Sequence, residues 1–206
     1  MNIGIIGTAG RKDDRTRINN GLYQGMLAHA KALVKAQTTP VKLVSGGAAV
    51  ADHLAVSLYL TEPNVQLKLH LPAEFDLSRK QFVEKPGQMY EPGNIANYYH
   101  RNFAKSCGLR SLEQIAQAIQ KGAEVIVTPG FKERNTKVAM ESDVLIAFTF
   151  GDGALLKDGG TLDTMTKFIR RGAGQSHHVD LNTMQRFSPA LVTTPTIKPP
   201  QGQLEL

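Results

Sequence analysis

Three glycine-rich turns constrain this chain more than any other feature: Gly7-Thr8-Ala9-Gly10-Arg11, Ser45-Gly46-Gly47 and Gly159-Gly160-Thr161. The first two follow short apolar runs, residues 2–6 and 41–44, that read as buried strands. The second and third lead directly into helix-like spacing. A turn from strand to helix leaves backbone N–H groups unpaired at the positive end of a helix dipole. That is a site for an anion, most often a phosphate. In a parallel sheet such turns lie along one edge, so three of them predict one shared, nucleotide-type pocket.

The rest of the chain supplies the sheet. Ile18, Leu22, Met26, Ala30, Leu33 and Val34 recur at helical spacing over 18–36, and Thr38-Thr39-Pro40 ends that helix. A second helix is predicted over 48–60, and a third strand over 65–71, stopped by Pro72. Residues 73–110 interrupt the rhythm. They read as an insertion, an irregular loop followed by a helix from about Asn94 to Cys107, placed to form a specificity wall or a subunit contact. Ser111-Leu112-Glu113-Gln114 resembles a capping box opening a short helix that ends at Gly122. Strands follow over 124–127 and 143–148, and a last helix over 161–171. The β-α-β alternation predicts an α/β fold: a Rossmann-like parallel sheet with helices on both faces. Residues 1–186 are expected to form one nucleotide-binding domain. The Pro-, Thr- and Gln-rich stretch 187–206 is expected to be an arm or a disordered tail.

Composition narrows the partners. The 206 residues carry a formal net charge of +6, with Lys and Arg scattered and never in a run of five. That balance suits a polyanionic small molecule better than the continuous basic face of a nucleic-acid binder. Cys107 is the single cysteine, so no intrachain disulfide can form, and its place near a helix end reads as a buried structural thiol. No apolar run is long enough to cross a bilayer, and Met1-Asn2-Ile3-Gly4 opens a strand without a basic leader. A cytoplasmic protein with no membrane partner is expected. No metal or cofactor is expected, because no His, Cys or carboxylate spacing matches a ligand set. The adjacent His177 and His178 would point apart if the chain there is extended.

Each turn carries candidate binding groups. In the first, Gly7 and Gly10 permit close backbone approach, Thr8 lies between them, and Arg11 can grip a phosphate with two N–H groups. The same turn also reads as a tight bend with a solvated basic loop, Arg11-Lys12-Asp13-Asp14-Arg15. In the second, Ser45 with Gly46 and Gly47 opens a helix bearing Asp52, which either holds ribose hydroxyls or complements the helix dipole. His53 faces elsewhere and reads as structural. In the third, Gly151 precedes Gly159, Gly160 and Thr161, with Thr161 where an N-cap or phosphate-binding hydroxyl belongs. Asp163 is placed for acid–base work, for ribose binding or for a plain dipole role. Arg134-Asn135, just ahead of a predicted helix, adds a phosphate or base contact.

These motifs resemble the SLOG superfamily, the Rossmann-like group that includes the DNA-processing protein DprA and the LOG nucleoside-phosphate phosphoribohydrolases. Ser45-Gly46-Gly47-Ala48 through Asp52-His53-Leu54-Ala55 is similar to the SGGAxGxDxxA turn of that group, with Val50 standing where the motif has its third glycine. Arg134-Asn135, an apolar strand and Gly160-Thr161-Leu162-Asp163 follow the order of the small YspA-like branch. The resemblance covers most of residues 1–172 and implies a nucleotide pocket at the sheet edge. LOG enzymes cleave the N-glycosidic bond of nucleoside monophosphates with an Arg and a Glu in Pro-Gly-Gly-x-Gly-Thr-x-Glu-Glu. Here the proline is absent and Asp163-Thr164 replaces the Glu pair.

Three functions are therefore expected to compete. The first is binding of a nucleotide or nucleotide-derived ligand, for sensing or sequestration. The second is N-glycoside hydrolysis of a nucleoside 5′-monophosphate, with Asp163 or Asp52 as the catalytic carboxylate. The third is DprA-like binding of single-stranded DNA, which needs a basic groove with stacking aromatics such as Tyr98 and Tyr99. Homo-oligomerisation through the 73–110 insertion is a further expectation.

Overall fold

Alternating burial along the strands builds two cores, one on each side of a single sheet. The computed structural model describes residues 1–84, 91–172 and 174–190. The chain runs β1 (Asn2–Gly7), α1 (Asp14–Arg17), α2 (Asn20–Lys35), β2 (Val41–Ser45), α3 (His53–Thr61) and β3 (Val65–Leu71). A hairpin of β4 (Glu74–Asp76) and β5 (Gln81–Val83) follows, then α4 (Pro92–Cys107), α5 (Ser111–Gln120) and β6 (Glu124–Val127). The remainder is α6 (Phe131–Glu141), β7 (Val144–Thr149), α7 (Gly160–Arg170), β8 (Gln175–Asp180) and β9 (Gln185–Phe187). Ile3, Ile5, Leu43, Ile146 and Phe148 face one core, shared with α2, α3, α4 and α5. Their neighbours Ile6, Val44, Leu145 and Ala147 face the other, beneath Val138 of α6 and Met165 and Phe168 of α7. Period-two side chains on strands buried on both faces require this three-layer arrangement.

The sheet order is β6-β3-β2-β1-β7-β8-β9. Every pairing is parallel except β8 with β9. The protein is thus an α/β fold of Rossmann-like type. From β1 the chain builds outward through β2, β3 and β6, and α6 then returns it to the opposite side of β1, where β7 and β8 are laid down. This reversal separates the loops after β1 and β7, and opens a crevice at the carboxyl ends of the two strands.

Several elements differ from the sequence reading for physical reasons. The helix expected from Ala48 begins only at His53, because Val50 takes a left-handed φ of 64°. The irregular loop after Pro72 contains the β4–β5 hairpin, whose turn is fastened by Asp76 Oδ1 accepting from the Ser78 and Arg79 N–H groups at 2.8 and 3.0 Å. Ser111 is no cap: Arg110 holds the N-cap position of α5, and the buried Ser111 hydroxyl donates to His100 Nδ1 at 3.0 Å. Arg134-Asn135 lies inside α6 rather than ahead of it. Strands β8 and β9 were not anticipated, since Gln-Ser-His-His-Val-Asp carries no apolar run. Most of the stretch expected as a tail, 191–206, lies outside the described residues, as do 85–90 of the insertion. No helix among the described residues is long and apolar enough to cross a membrane.

Helix α4 docks through two fully buried histidines. His100 Nε2–H donates to the Gly47 carbonyl at 3.0 Å, and His53 Nε2–H donates to Gln114 Oε1 at 2.7 Å. Their rings meet edge to face at 5.8 Å. Burial pushes His53 down to about 4 and His100 to about 3, the latter also disfavoured by His53 and Arg134 nearby. Both folded values lie below the unfolded value of 6.5, so the unfolded chain takes up protons first as pH falls. Stability should therefore hold above pH 6.5 and be lost progressively from there down to about pH 4 through His53 and about pH 3 through His100. Urea unfolding at pH 7.5 and pH 4.5 is expected to differ by roughly 4–5 kcal/mol. His100→Gln, which can still donate to Gly47, should lose about half of that dependence.

Candidate functional site

A cleft of about 540 Å³ sits at the carboxyl ends of β1 and β7. The first turn contributes Gly7, Thr8 and Arg11, α6 contributes Arg134 and Asn135, and the start of α7 contributes Gly159, Gly160 and Thr161. Asp52 also reaches it, from the N-cap position of α3.

Asp52 joins the turns. Its side chain makes no cap bond to its own helix. Instead the carboxylate faces the backbone N–H groups of Gly7, Gly46 and Ala48, which together with the Arg134 guanidinium favour its ionised form. Burial raises the Asp52 carboxyl above its ordinary range, while Arg134 and the three N–H donors pull it down. Arg134 is itself buried. It donates from Nη1 to the Gly46 carbonyl at 3.1 Å, binds Asn135 Oδ1 at 3.0 Å through Nη2, and lies 5.2 Å from the centroid of the Phe131 ring. Both side chains press on the second turn. A Cβ at Gly46 would stand 2.7 Å from Arg134 Nε and 2.9 Å from Asp52 Oδ2, and one at Gly7 would stand 2.2 Å from the Phe148 carbonyl. These two glycines are required by close approach.

The remaining second-turn residues are turned inward. Ser45, fully buried, donates to the Asp52 carbonyl at 2.9 Å and accepts from the Gly47 N–H at 3.2 Å. Ser45, Gly46 and Gly47 do not line the cleft but shape the loop behind it. Gly10 and Gly151 are likewise outside the lining: the Gly10 N–H donates to Thr8 Oγ1, and the Gly151 carbonyl accepts from Asn182.

The third turn enters as bare backbone. Gly159, with φ 128°, is the N-cap of α7 and makes no side-chain cap bond, so Thr161 stands inside the first turn instead of capping it. Asn135 Nδ2 and Thr164 Oγ1 both donate to the Gly160 carbonyl, at 3.3 and 2.7 Å. Asp163 lies one position away from the cleft, exposed, with its carboxylate 2.7 Å from Lys167 Nζ.

Asp14 and Lys157 are among the lining residues that the sequence reading did not single out, Asp14 appearing there only as part of a polar loop. In the fold Asp14 is buried, accepting from Thr8 Oγ1 at 2.6 Å through Oδ2 and from Lys157 Nζ at 2.6 Å through Oδ1. A buried carboxylate one helical turn into a charged loop has no periodic signal. Only the Thr8 hydroxyl six residues earlier hints at it. The loop that carries Lys157 is fixed by His178, whose Nδ1–H donates to the Gly153 carbonyl at 2.8 Å. Its Nε2 accepts from Thr149 Oγ1 at 2.8 Å. Burial holds His178 below its ordinary value, in the neutral form this pattern needs.

Removing Asp52 would orphan three buried N–H groups and leave Arg134 without its neighbour. Asp52→Ala is expected to cost about 3–5 kcal/mol of unfolding free energy by urea denaturation. Asp163→Ala should change stability by less than about 0.5 kcal/mol.

No family model matches the chain. The solved X-ray structure of TM1055, a structural genomics target, aligns with a TM-score of 0.42 at 13% identity, covering 85% of this chain and 71% of that one. The uncharacterized protein R261 of Acanthamoeba polyphaga mimivirus is 36% identical over 173 residues, covering 81% of this chain and 90% of that protein. The chain belongs to the same family as that viral protein.

Proposed function

We propose that the cleft binds a nucleotide or nucleotide-derived ligand, for sensing or sequestration. The observation that carries this reading is convergence. Backbone at Gly7 and Thr8 and the uncapped start of α7 at Gly159, Gly160 and Thr161 line one cleft at the strand reversal between β1 and β7. Uncapped N–H groups at a helix start favour an anion, and a strand reversal in an open α/β sheet is where such ligands bind. Arg11 and Lys157 add cationic side chains, and Phe131 adds flat apolar surface for a base. Among the carboxylates weighed for hydrolysis, Asp52 is engaged by backbone N–H groups and Asp163 by Lys167, which favours binding over cleavage. The exposed Tyr98 and its neighbour Tyr99 are in contact with Arg15 and Arg11, an arrangement that gives single-stranded DNA no open stacking platform.

The test is a panel of nucleoside mono-, di- and triphosphates, followed by thermal shift and by chromatography of released base. At least one should raise Tm by about 3–5 °C when present at ten times its Kd, with the corresponding nucleoside giving less. Free base appearing in step with enzyme concentration would replace binding by hydrolysis. A flat Tm across the whole panel would sink the nucleotide reading.

A further inference from the structure

Hydrogen-bond accounting singles out one carboxylate in the cleft. Three carboxylates line it among the described residues: Asp14, Asp52 and Asp158. Asp52 is filled by three backbone N–H groups with Arg134 beside it. Asp158 is exposed and spends Oδ1 on the Gly159 N–H at 2.8 Å. Asp14 is 5% exposed and accepts two hydrogen bonds, one per oxygen. An ionised carboxylate offers about four lone-pair sites, so Asp14 retains about two. Lys157, its partner, has a side chain 42% exposed and uses one of an ammonium's three donors on Asp14. The pair thus presents unused acceptors and unused donors side by side, on the cleft wall between the first turn and the start of α7.

A vicinal diol has the complementary pattern, because each hydroxyl both donates and accepts. We propose that Asp14 and Lys157 read the 2′,3′-hydroxyls of a ribonucleotide, Asp14 accepting from them and Lys157 donating to them. The inference rests on the nucleotide reading above and narrows it to ribonucleotides. Lys157 precedes Gly159 by two residues, so a sugar held there lies next to the N–H groups offered to a phosphate, as the connectivity of a nucleotide requires. Thr8 completes the arrangement: its hydroxyl hydrogen is committed to Asp14, and its oxygen accepts from the Gly10 N–H at 3.1 Å. A 2′-deoxyribonucleotide keeps its 3′-hydroxyl but leaves the donor and acceptor meant for the 2′-hydroxyl without a partner, which is how a site built for a hydroxyl rejects a ligand that lacks it.

Calorimetric titration of AMP, GMP, CMP and UMP against their 2′-deoxy counterparts tests this, with wild type, Asp14→Asn and Lys157→Gln. The tightest ribonucleotide should bind wild type about tenfold or more better than its deoxy form. Both variants should narrow that ratio to within about threefold. Circular dichroism and Tm report whether each variant folds. Lys157 is exposed enough that Lys157→Gln decides the matter if Asp14→Asn does not fold. Equal wild-type affinities for the two sugars overturn this inference alone, as does a ratio that survives in a folded variant. Binding of none of these nucleotides overturns this inference, and a flat Tm for the di- and triphosphates as well overturns the nucleotide reading with it.

Discussion

A carboxylate buried without hydrogen bonds would unfold much of what surrounds it, and Asp52 is buried at the meeting point of the two halves of the sheet edge. It is tolerated because three backbone N–H groups converge on it, one from the first turn and two from the second, with a buried guanidinium alongside. The dependence runs both ways. Gly46 and Ala48 lie beyond the end of β2, where no strand ladder reaches their N–H groups. Arg134 extends the constraint to the opposite layer, since it stands on α6 and hydrogen-bonds the Gly46 carbonyl. One ionisable group therefore ties β1, β2, α3 and α6 into a fixed geometry.

That rigidity sets what the rest of the cleft can be. Groups consumed by the scaffold, such as Ser45, Gly47 and His100, have no capacity left for a ligand. The groups that keep capacity stand on the outer wall, at Arg11, Lys157 and the start of α7, where exposure is higher and structural obligations are fewer. Even that wall is anchored from below: His178 holds the Gly153 carbonyl, Thr149 bonds both His178 and the Lys157 N–H, and Asp180 accepts from the Gly153 N–H at 3.3 Å. The cleft has a floor specified by buried hydrogen bonds and a rim specified by charge.

The glycine turns, Arg11 and the start of α7 were legible in the sequence, and the Asp14–Lys157 pair and strand β8 were not. Glycine turns after apolar runs announce themselves, because close backbone approach at Gly7 and Gly46 tolerates no other residue and short apolar runs such as Val144–Thr149 have few alternatives to a buried strand. Arg134 was visible as a motif, although its place inside α6 was not. Asp14 and Lys157 are 143 positions apart, and nothing local marks either as buried or paired. Strand β8 was hidden for a related reason. Its buried residues include His178 and Asp180, both hydrogen-bonded to Gly153 in a loop distant in sequence, and this leaves no alternation to read. Asp163 misled in the opposite direction: it occupies the motif position, yet the helix phase sends its side chain to Lys167 while Thr164 faces the cleft.

Val50 shows how firmly the second turn is determined. A β-branched residue at φ 64° carries backbone strain of about 1–3 kcal/mol, and glycine would carry none. The chain accepts that cost because Val50 is 1% exposed and belongs to the core beneath the helices, within reach of the first turn at Gly10. Burying its side chain contributes about 1.5–3 kcal/mol, which is enough to offset the strain. The left-handed step also delays the start of α3 until His53, and so leaves Asp52 outside the helix, free to collect N–H groups from Gly7, Gly46 and Ala48 rather than from its own first turn. A glycine at this position would keep the path but loosen it. Valine keeps the path and fixes it through packing.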